Sequence, residues 1–431
     1  MIMKTILYPE PSEWAALSLR PQKEAADLDS IVRNVFDDVK RKGDEALLHY
    51  TLKFDGVKLS SLTPDKRLLE SCFASITPAL REAIRLSAGN IELFHASQKD
   101  EVKVVETSPG VFCRTESRPV EKIGLYIPGG TAPLFSTVLM LAIPARLAGC
   151  REVILCTPPR ADGSIDPTIL YAALITGVTS IFNIGGIQAI AAMTFGTETV
   201  PAVYKIFGPG NQYVTAAKQE ATRAGVAIDL PAGPSEVLVI ADNTSNPEFV
   251  AADLLSQAEH GEDSQVMLVS TDVAVVEKVL TALESELARL PRRTIAAAAL
   301  EKSRAVILAS QDECISFSNV YAPEHLIIAT DNAADLSGGV MNAGSVFLGH
   351  YSCESTGDYA SGTNHTLPTG GFARSYSGVS LQSFMKKITI QEVSPAGLKN
   401  IGPAIITMAA EEGLEAHAEA VRTRLNFLRY V

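Results

Sequence analysis

Helical periodicity dominates the first third of the chain and gives way, from Lys122, to a regular alternation of strands and helices. Apolar residues three to four apart predict helices over 28–39 and, after Thr77-Pro78, over 80–94. Short β-branched runs then alternate with helical runs. The predicted strands are 123–127, 153–156, 181–184 and 204–207, followed in turn by helices that begin at Ser136, Pro167, Gln188 and Asn211.

A second alternation follows a segment rich in proline and glycine, residues 229–236, which is a candidate hinge. Its predicted strands are 237–240, 266–269, 306–308, 326–329 and 346–348, with helices over 247–260 and 273–290. Such alternation is typical of parallel sheets with crossover helices, so the sequence predicts an α/β protein with two doubly wound domains. Residues 405–428 predict one terminal helix.

Composition narrows the class of protein without identifying it. The chain has 431 residues, 46% hydrophobic and 20% charged, with a formal net charge of −12. This acidic balance argues against a nucleic-acid partner, which needs a positive surface. The longest apolar stretch, 138–145, is too short to span a bilayer, and no signal-peptide run precedes it. We therefore expect a cytoplasmic protein without a membrane segment.

Six cysteines without a CxxC pair form no disulfide framework. Cys150 and Cys156 flank an apolar run, which favours two core thiols in a reducing compartment. The alternative is a thiol nucleophile that traps an aldehyde. No histidine lies near either cysteine in sequence, so the core interpretation is preferred.

Glycines end several predicted strands just before a helix begins. They are Gly129-Gly130, Gly185-Gly186 and Gly208-Pro-Gly-Asn211. Free N–H groups at a helix start favour phosphate, but glycine also serves tight turns for backbone reasons alone. None of these loops is a GxGxxG, and no acidic residue ends the 153–156 strand to meet a ribose hydroxyl. A dinucleotide site is one interpretation, and ordinary turns remain the other.

Nitrogen and oxygen ligands for a metal occur in three separate segments. Gln257 and His260 lie three apart at the end of a predicted helix, although such a pair is more often a solvated helix end capped by Gly261. Asp358 lies in a dense polar run, 355–365, and His417 lies on the terminal helix. If these four side chains meet, they offer two nitrogens and two oxygens without a thiolate, which is typical of an open rather than a structural zinc site.

Glu324 and His325 place a carboxylate beside an imidazole just after Pro323. Adjacent side chains on a straight strand diverge, so both can face one cavity only at a bend or a strand end. An imidazole suits proton abstraction from an alcohol, and a partly desolvated carboxylate suits activation of water. Alone, such a pair is more often a surface couple.

At these residues the chain resembles the histidinol dehydrogenase family, over roughly residues 25–430. The matching motifs span residues 124–138, 206–211, 231–237, 253–261, 323–326 and 357–365, in this order. No departure occurs at a functional position.

The resemblance implies a function for each matching residue. It implies that zinc is bound by Gln257, His260, Asp358 and, from the other subunit, His417. It implies that Glu324 and His325 are catalytic and that NAD is bound by Tyr126, Gln188 and Asn211. The residues implied to bind L-histidinol are Ser235, Gln257, His260, His325, Asp358, Glu412 and His417. The implied reaction oxidises L-histidinol to L-histidine through the aldehyde with two NAD, the final step of histidine biosynthesis.

The resemblance also implies a cytoplasmic homodimer built from two Rossmann-like domains, one inserted in the other, plus a small helical C-terminal domain. The expected units are an N-terminal arm (1–24), a discontinuous domain (25–122 and 236–378), an inserted domain (123–235) and a dimer-exchanging domain (379–431).

Two other functions stay open at this point. One is a related dehydrogenase for another small alcohol, such as a sulfonated propanediol; there Glu412 and Ser235 would be expected to differ, since a sulfonate favours arginine. The other is a non-catalytic metal-binding or assembly protein. The presence of Glu324, His325 and all four candidate ligands argues against it.

Overall fold

The computed structural model describes residues 2–21, 28–129, 132–231 and 233–429, except the side chains of Lys66 and Leu68. Three predictions therefore fall outside the described residues: the glycine at position 130, part of the hinge at position 232, and the boundary between the N-terminal arm and the first domain. Within the described residues the fold is α/β with two parallel sheets, which confirms the predicted fold class.

The strands form three sheets, of six, five and three strands. They are β1 (Lys4–Leu7), β2 (Val104–Ser108), β3 (Val111–Pro119), β4 (Lys122–Tyr126), β5 (Glu152–Cys156), β6 (Ser180–Phe182), β7 (Lys205–Phe207), β8 (Ala227–Ile228), β9 (Glu236–Ala241), β10 (Gln265–Ser270), β11 (Arg304–Ile307), β12 (His325–Ala329), β13 (Ser345–Leu348) and β14 (Met385–Val393).

The α-helices of the described chain connect and cover these sheets. They are α1 (Trp14–Leu17), α2 (Leu28–Lys42), α3 (Asp44–Tyr50), α4 (Lys66–Ser75), α5 (Pro78–Ala96), α6 (Phe135–Ala148), α7 (Pro167–Thr176), α8 (Gly186–Phe195), α9 (Gln212–Arg223), α10 (Pro247–Ala258), α11 (Val273–Leu287), α12 (Arg293–Leu300), α13 (Gln311–Tyr321), α14 (Ala333–Ser337), α15 (Glu354–Tyr359), α16 (Pro395–Glu411) and α17 (Glu415–Phe427).

The six-stranded sheet is parallel, in the order β1-β11-β10-β9-β12-β13. Its central strands are buried on both faces, as expected for parallel strands covered by helices. The register places His325 beside Val237 of β9 and Ser345 of β13. The first residue of β12 is therefore fixed in the middle of a rigid sheet.

The five-stranded sheet is also parallel, in the order β6-β5-β4-β7-β8. The strand order reverses direction at β4, the arrangement that leaves a crevice at the carboxyl ends of the neighbouring strands β4 and β7. One core joins this sheet to α6 and α7, and a second joins it to α8 and α9.

The N-terminal helices pack against the five-stranded sheet. Residues of α2 and α3 belong to the core with α8 and α9, and residues of α4 and α5 belong to the core with α6 and α7. The proposed grouping of 25–122 with 236–378 thus separates these helices from the sheet that they cover. The domain boundaries stay a proposal.

An antiparallel three-stranded sheet, in the order β14-β3-β2, was not predicted. The C-terminal region is therefore not purely helical, since it begins with the nine-residue strand β14 paired along all of β3. The single helix predicted over 405–428 is wrong. Gly413 adopts a left-handed φ of 72° between α16 and α17, which ends the first helix and reverses the chain.

No helix in the described part of the chain combines the length and the apolar character needed to cross a membrane.

Candidate active site

The Glu324–His325 pair lies where α13 turns into β12. The helix ends at Tyr321, and Ala322 then takes a left-handed conformation with φ 54°, rare for a residue with a Cβ. Strand β12 begins only at His325, so Glu324 precedes the regular pleat and both side chains point into one site. Oε2 of Glu324 lies 3.8 Å from Nδ1 of His325. This geometry fulfils the requirement for an irregular strand entry.

Burial strongly changes the acid–base properties of both side chains. Glu324 and His325 are 6% and 4% exposed. Desolvation raises the pKa of Glu324 well above its usual range, although the N–H of Glu236 donates to Oε2 (2.9 Å) and partly opposes this shift. Desolvation also lowers the pKa of His325 to about 4. At neutral pH the imidazole is therefore uncharged, and the carboxylate is a stronger base than one in water.

The two ring nitrogens of His325 have different surroundings. Nδ1 lies 3.3 Å from the carbonyl oxygen of Glu236 and 3.2 Å from the amide nitrogen of Gln257. Since a carbonyl oxygen can only accept, the contact with Glu236 is a hydrogen bond when the imidazole proton is on Nδ1, and we assign the proton there. Nε2 is buried without a hydrogen-bond partner among the described residues and lies 3.9 Å from Oδ1 of Asp358. Its lone pair is free to accept a proton from a ligand.

Helices α10 and α15 bring metal-ligating groups to the same place. Asn246 caps α10 through its side chain, with Pro247 as first residue, so the last turn carries Gln257 and His260 follows the helix end. Ligand atoms of His260, Glu354 and Asp358 all lie within 4.8 Å of one another. Two of the four predicted ligands, His260 and Asp358, therefore lie together, and a third, Gln257, contacts Glu354 of the same group.

Glu354 was missed by the sequence analysis. It is 1% exposed, and burial together with the nearby carboxylates of Asp358 and Glu324 raises its pKa well above its usual range. With the amide of Gln257 oriented to donate, its nitrogen lies 2.7 Å from Oε1 and 3.1 Å from Oε2 of Glu354. The spacing of Glu354 and Asp358, four apart on one helix, was the signal that could have identified it.

His365 also belongs to this cluster, and its role was not predicted. Nε2 of His365 lies 3.1 Å from the hydroxyl of Thr137 in the first turn of α6, and Nδ1 lies 3.2 Å from the carbonyl oxygen of Asp358. Burial lowers the pKa of His365. The imidazole thus links the five-stranded sheet to the segment that carries Asp358.

Two predicted site residues lie elsewhere. Glu412 directly follows α16 and His417 lies in the first turn of α17, and both are exposed. The group of ligand atoms found within the described chain does not include His417. Within the described chain, Glu412 and His417 therefore do not belong to the cluster of His260, Glu354 and Asp358.

A groove of about 1190 Å³ runs along the carboxyl ends of the five-stranded sheet and reaches His260 and Ser235. Of the three residues predicted to bind the cofactor, Tyr126 and Asn211 line it. The third, Gln188, is buried beneath it, and its amide nitrogen lies 3.4 Å from Oδ2 of Asp55 on the groove wall. Desolvation raises the pKa of Asp55 to about 6.

The loop before α9 is fixed by a buried ion pair. Lys218 and Asp229 are in contact, with side chains 4% and 1% exposed. Asp229 accepts from the N–H of Gly208 (2.7 Å), while Lys218 donates to the carbonyl oxygen of Gly208 (2.9 Å). A Cβ at Gly208 would lie 2.0 Å from the carbonyl oxygen of Tyr126, so only glycine allows β4 and β7 to approach this closely.

Replacing Lys218 by methionine is expected to lower the free energy of unfolding by about 3–5 kcal/mol, because Asp229 would stay buried without its partner. The matched control is Arg223→Met on the same helix. Arg223 pairs with Glu220 in solvent, so its loss should cost about 0–1 kcal/mol. Urea denaturation of both variants gives the comparison, and similar losses would contradict the bracing role of Lys218.

Of the two cysteines considered as nucleophiles, Cys156 is a core residue and Cys150 is half-buried and packs against the core. Cys156 is fully buried in β5, and Cys150 lies beside the carbonyl oxygen of Phe384 at 3.8 Å. Burial raises the pKa of both thiols, to about 12 for Cys150. Neither is a thiolate at neutral pH, which confirms the core interpretation.

Two parallel sheets around one groove, with a buried Glu–His pair and a histidine–carboxylate cluster at its end, define a two-sheet α/β enzyme. The chain belongs to the histidinol dehydrogenase family, whose model matches residues 18–425.

Relatives and solved structures agree with this assignment. The chain is 56% identical to a histidinol dehydrogenase of Bacteroides thetaiotaomicron over 428 residues, 99% of this chain and 100% of the relative. It is 50% identical to one of Salmonella typhimurium, with 97% and 96% covered. The crystal structure of histidinol dehydrogenase from Elizabethkingia anophelis superimposes with a TM-score of 0.98 at 57% identity and covers 99% of each chain.

Proposed function

We propose that this enzyme oxidises L-histidinol to L-histidine through L-histidinaldehyde, with two NAD as hydride acceptors, as the final step of histidine biosynthesis. The observation that carries the proposal is the placement of His325. Its unpartnered Nε2 faces Asp358 beside a buried carboxylate, at the end of a groove large enough for a dinucleotide. Purified protein should form two NADH per L-histidinol and none from simple primary alcohols, measured at 340 nm. Absence of turnover with L-histidinol would refute the assignment.

Zinc fits the donor set on chemical grounds. Imidazole and carboxylate ligands suit Zn²⁺, and a set without thiolates is typical of a site that also admits substrate. Because the amide N–H group of Gln257 donates a hydrogen bond to Glu354, the amide oxygen of Gln257 stays available for a cation. Gln257, His260, Asp358 and the partner subunit's His417 would hold the ion. Zinc would supply a fixed, redox-inactive anchor for the imidazole and amine of the substrate.

NAD is assigned to the groove because its walls suit a dinucleotide. The start of α8 has no side-chain cap and lies at the carboxyl ends of the strands, where pyrophosphate binds favourably, whereas Asn211 caps the N–H groups of Tyr213 and Val214 at the start of α9. Tyr126 and Asn211 would contact the cofactor directly. Gln188 would act indirectly, by its contact with Asp55 on the groove wall. Since His260 and Ser235 lie at the end near the catalytic pair, the nicotinamide belongs there.

The two residues of the catalytic pair have different roles: His325 accepts protons from the substrate, and Glu324 activates water. In the first half, Nε2 of His325 takes the hydroxyl proton while hydride leaves the alcohol carbon for NAD, giving the aldehyde. In the second half, Glu324 removes a proton from a water whose hydroxide adds to the aldehyde carbon, and His325 returns its proton to the aldehyde oxygen, which gives the hydrate and leaves the imidazole neutral. His325 then takes a hydroxyl proton of the hydrate as the second hydride leaves, and the carboxylic acid results.

The substrate shell would be completed across a homodimer. Glu412 would meet the substrate ammonium, Ser235 lies on the groove wall, and the C-terminal unit 379–431 would reach the partner's site. We further propose that the enzyme is cytoplasmic. Its other proposed units are the N-terminal arm (1–24), the discontinuous domain (25–122 with 236–378) and the inserted domain (123–235).

Replacing Asp358 or His260 by asparagine is expected to remove most bound zinc and activity while leaving the fold intact, because these side chains lie outside the packed cores. Metal content by mass spectrometry and thermal unfolding measure the two effects. The control is His350→Asn, since His350 pairs with Asp331 in solvent at 2.9 Å. A metal-stripped enzyme that unfolds would show instead that the ion is structural.

A further inference from the structure

A single residue contacts both members of the catalytic pair through its backbone. The N–H of Glu236, the first residue of β9, donates to Oε2 of Glu324 at 2.9 Å. Its carbonyl oxygen accepts from Nδ1 of His325 at 3.3 Å. The orientation of both catalytic side chains therefore depends on the position of this one residue.

The side chain of Glu236 is fixed by Arg20. Nε of Arg20 lies 2.7 Å from Oε2 and Nη2 lies 2.8 Å from Oε1, so two parallel hydrogen bonds join the fork to the carboxylate. The side chain of Glu236 is 1% exposed and that of Arg20 is 17% exposed. Such a bidentate pair defines direction as well as distance, which a single ammonium cannot do.

The same guanidinium also contacts the turn that precedes the catalytic pair. Nη2 of Arg20 donates to the carbonyl oxygen of Ala322 at 3.4 Å, and its central carbon lies 3.6 Å from the centre of the Tyr321 ring. Ala322 has the left-handed φ of 54° that redirects the chain toward Glu324. Arg20 therefore joins β9 to the turn between α13 and β12, the two segments that hold the pair.

We propose that Arg20 is a positioning residue that holds Glu324 and His325 in the geometry needed for both oxidation steps. It acts through Glu236 and Ala322 and touches none of the reacting atoms. The inference rests on the proposed function, because histidinol oxidation is the readout. It adds a segment from the N-terminus, 216 residues before Glu236, to the machinery of the site.

Arg20→Met should lower kcat by about 10–100-fold in both half-reactions, since displacement of catalytic groups by about 1 Å costs rates of this order. KM for L-histidinol and for NAD should change less than about threefold, and zinc content should stay at the wild-type level. Arg20→Lys should fall between the wild type and Arg20→Met, because it keeps the charge and loses the fork. Arg20→Met should also release more L-histidinaldehyde than the wild type, measured with a trapping reagent such as semicarbazide.

Arg304→Met is the matched control for a purely structural effect. Nη1 of Arg304 donates to the carbonyl oxygen of Leu17 at 2.8 Å, so it anchors the same N-terminal segment without touching Glu236. We expect this variant to lose thermal stability while keeping wild-type kcat and wild-type aldehyde retention.

Equal kcat losses in Arg20→Met and Arg304→Met, or an unchanged kcat in Arg20→Met, would overturn the positioning role. If Arg20→Met does not fold, Arg20→Lys decides by the same kcat and trapping measurements, since it keeps the cation over Tyr321. Failure of the wild-type enzyme to oxidise L-histidinol would instead refute the proposed function, which distinguishes the two failures.

Discussion

His325→Asn is expected to slow both the alcohol and the aldehyde half-reactions by about 10²–10⁴-fold, because each needs a proton acceptor at the hydroxyl group on the carbon that is being oxidised. Burial keeps the pKa of His325 near 4, so the wild-type imidazole is unprotonated at neutral pH. The acidic limb that it contributes should lie well below the 6.5 of a solvent-exposed imidazole. Single-turnover NADH formation from L-histidinol and from L-histidinaldehyde measures each half.

Glu324→Gln should separate the two halves. Only aldehyde oxidation needs a water to add, so this variant should keep most of the alcohol step and lose most of the aldehyde step. Glutamine fills the same volume, and its amide oxygen can still accept from the N–H of Glu236. Aldehyde that accumulates after one NADH would support the assignment, and equal losses in both halves would remove the water-activating role.

The alternation of strands and helices was predictable because the apolar pattern within each short segment determines it. Buried parallel strands such as β9 and β10 are continuous apolar runs in the sequence. In the helices between them, apolar residues recur every three to four positions. The carboxyl ends of such strands meet at one edge of the sheet, which is why the loops at Gly185 and Gly208 were found as groove candidates.

What could not be predicted depends on contacts between distant segments. Strand β14 pairs with β3 across more than 260 residues, and neither strand shows a strong apolar run. Arg20 meets Glu236 across 216 residues, and both appear in sequence as ordinary surface charges. Within the site, Glu354 was missed because an acidic residue beside Cys353 carries no sign of burial, which is set by α10 packing over it.

The sequence singled out Glu324 and His325 and the four ligand candidates, and their roles were inferred from the family resemblance. The residues 324–325 follow Pro323, and this local signal predicts a strand entry. In contrast, Gln257, His260 and Asp358 lie close together only because α10 and α15 converge, and the sequence could not show whether the four ligand candidates meet. The structure places His417 exposed on α17, outside the group formed by His260, Glu354 and Asp358.

Two inactive variants, His260→Ala and His417→Ala, should regain activity when they share a dimer. If each site takes His260 from one subunit and His417 from the other, a mixed dimer contains one site that lacks both histidines and one intact site. Random pairing makes half of the dimers mixed, and half of their sites are intact, so about a quarter of wild-type activity should return, as two-fold symmetry requires.

The experiment is refolding of the two variants together, with each variant refolded alone as the baseline. Subunit exchange is verified independently by mass spectrometry of differently tagged chains. His350→Ala mixed with His260→Ala is the matched control, because His350 lies at the surface beside Asp331 and belongs to neither site. In that mixture activity should follow only the number of intact His260 sites. If His260 and His417 instead served a site within one chain, every site in the test mixture would lack a histidine, and an inert mixture with proven exchange would refute the shared site.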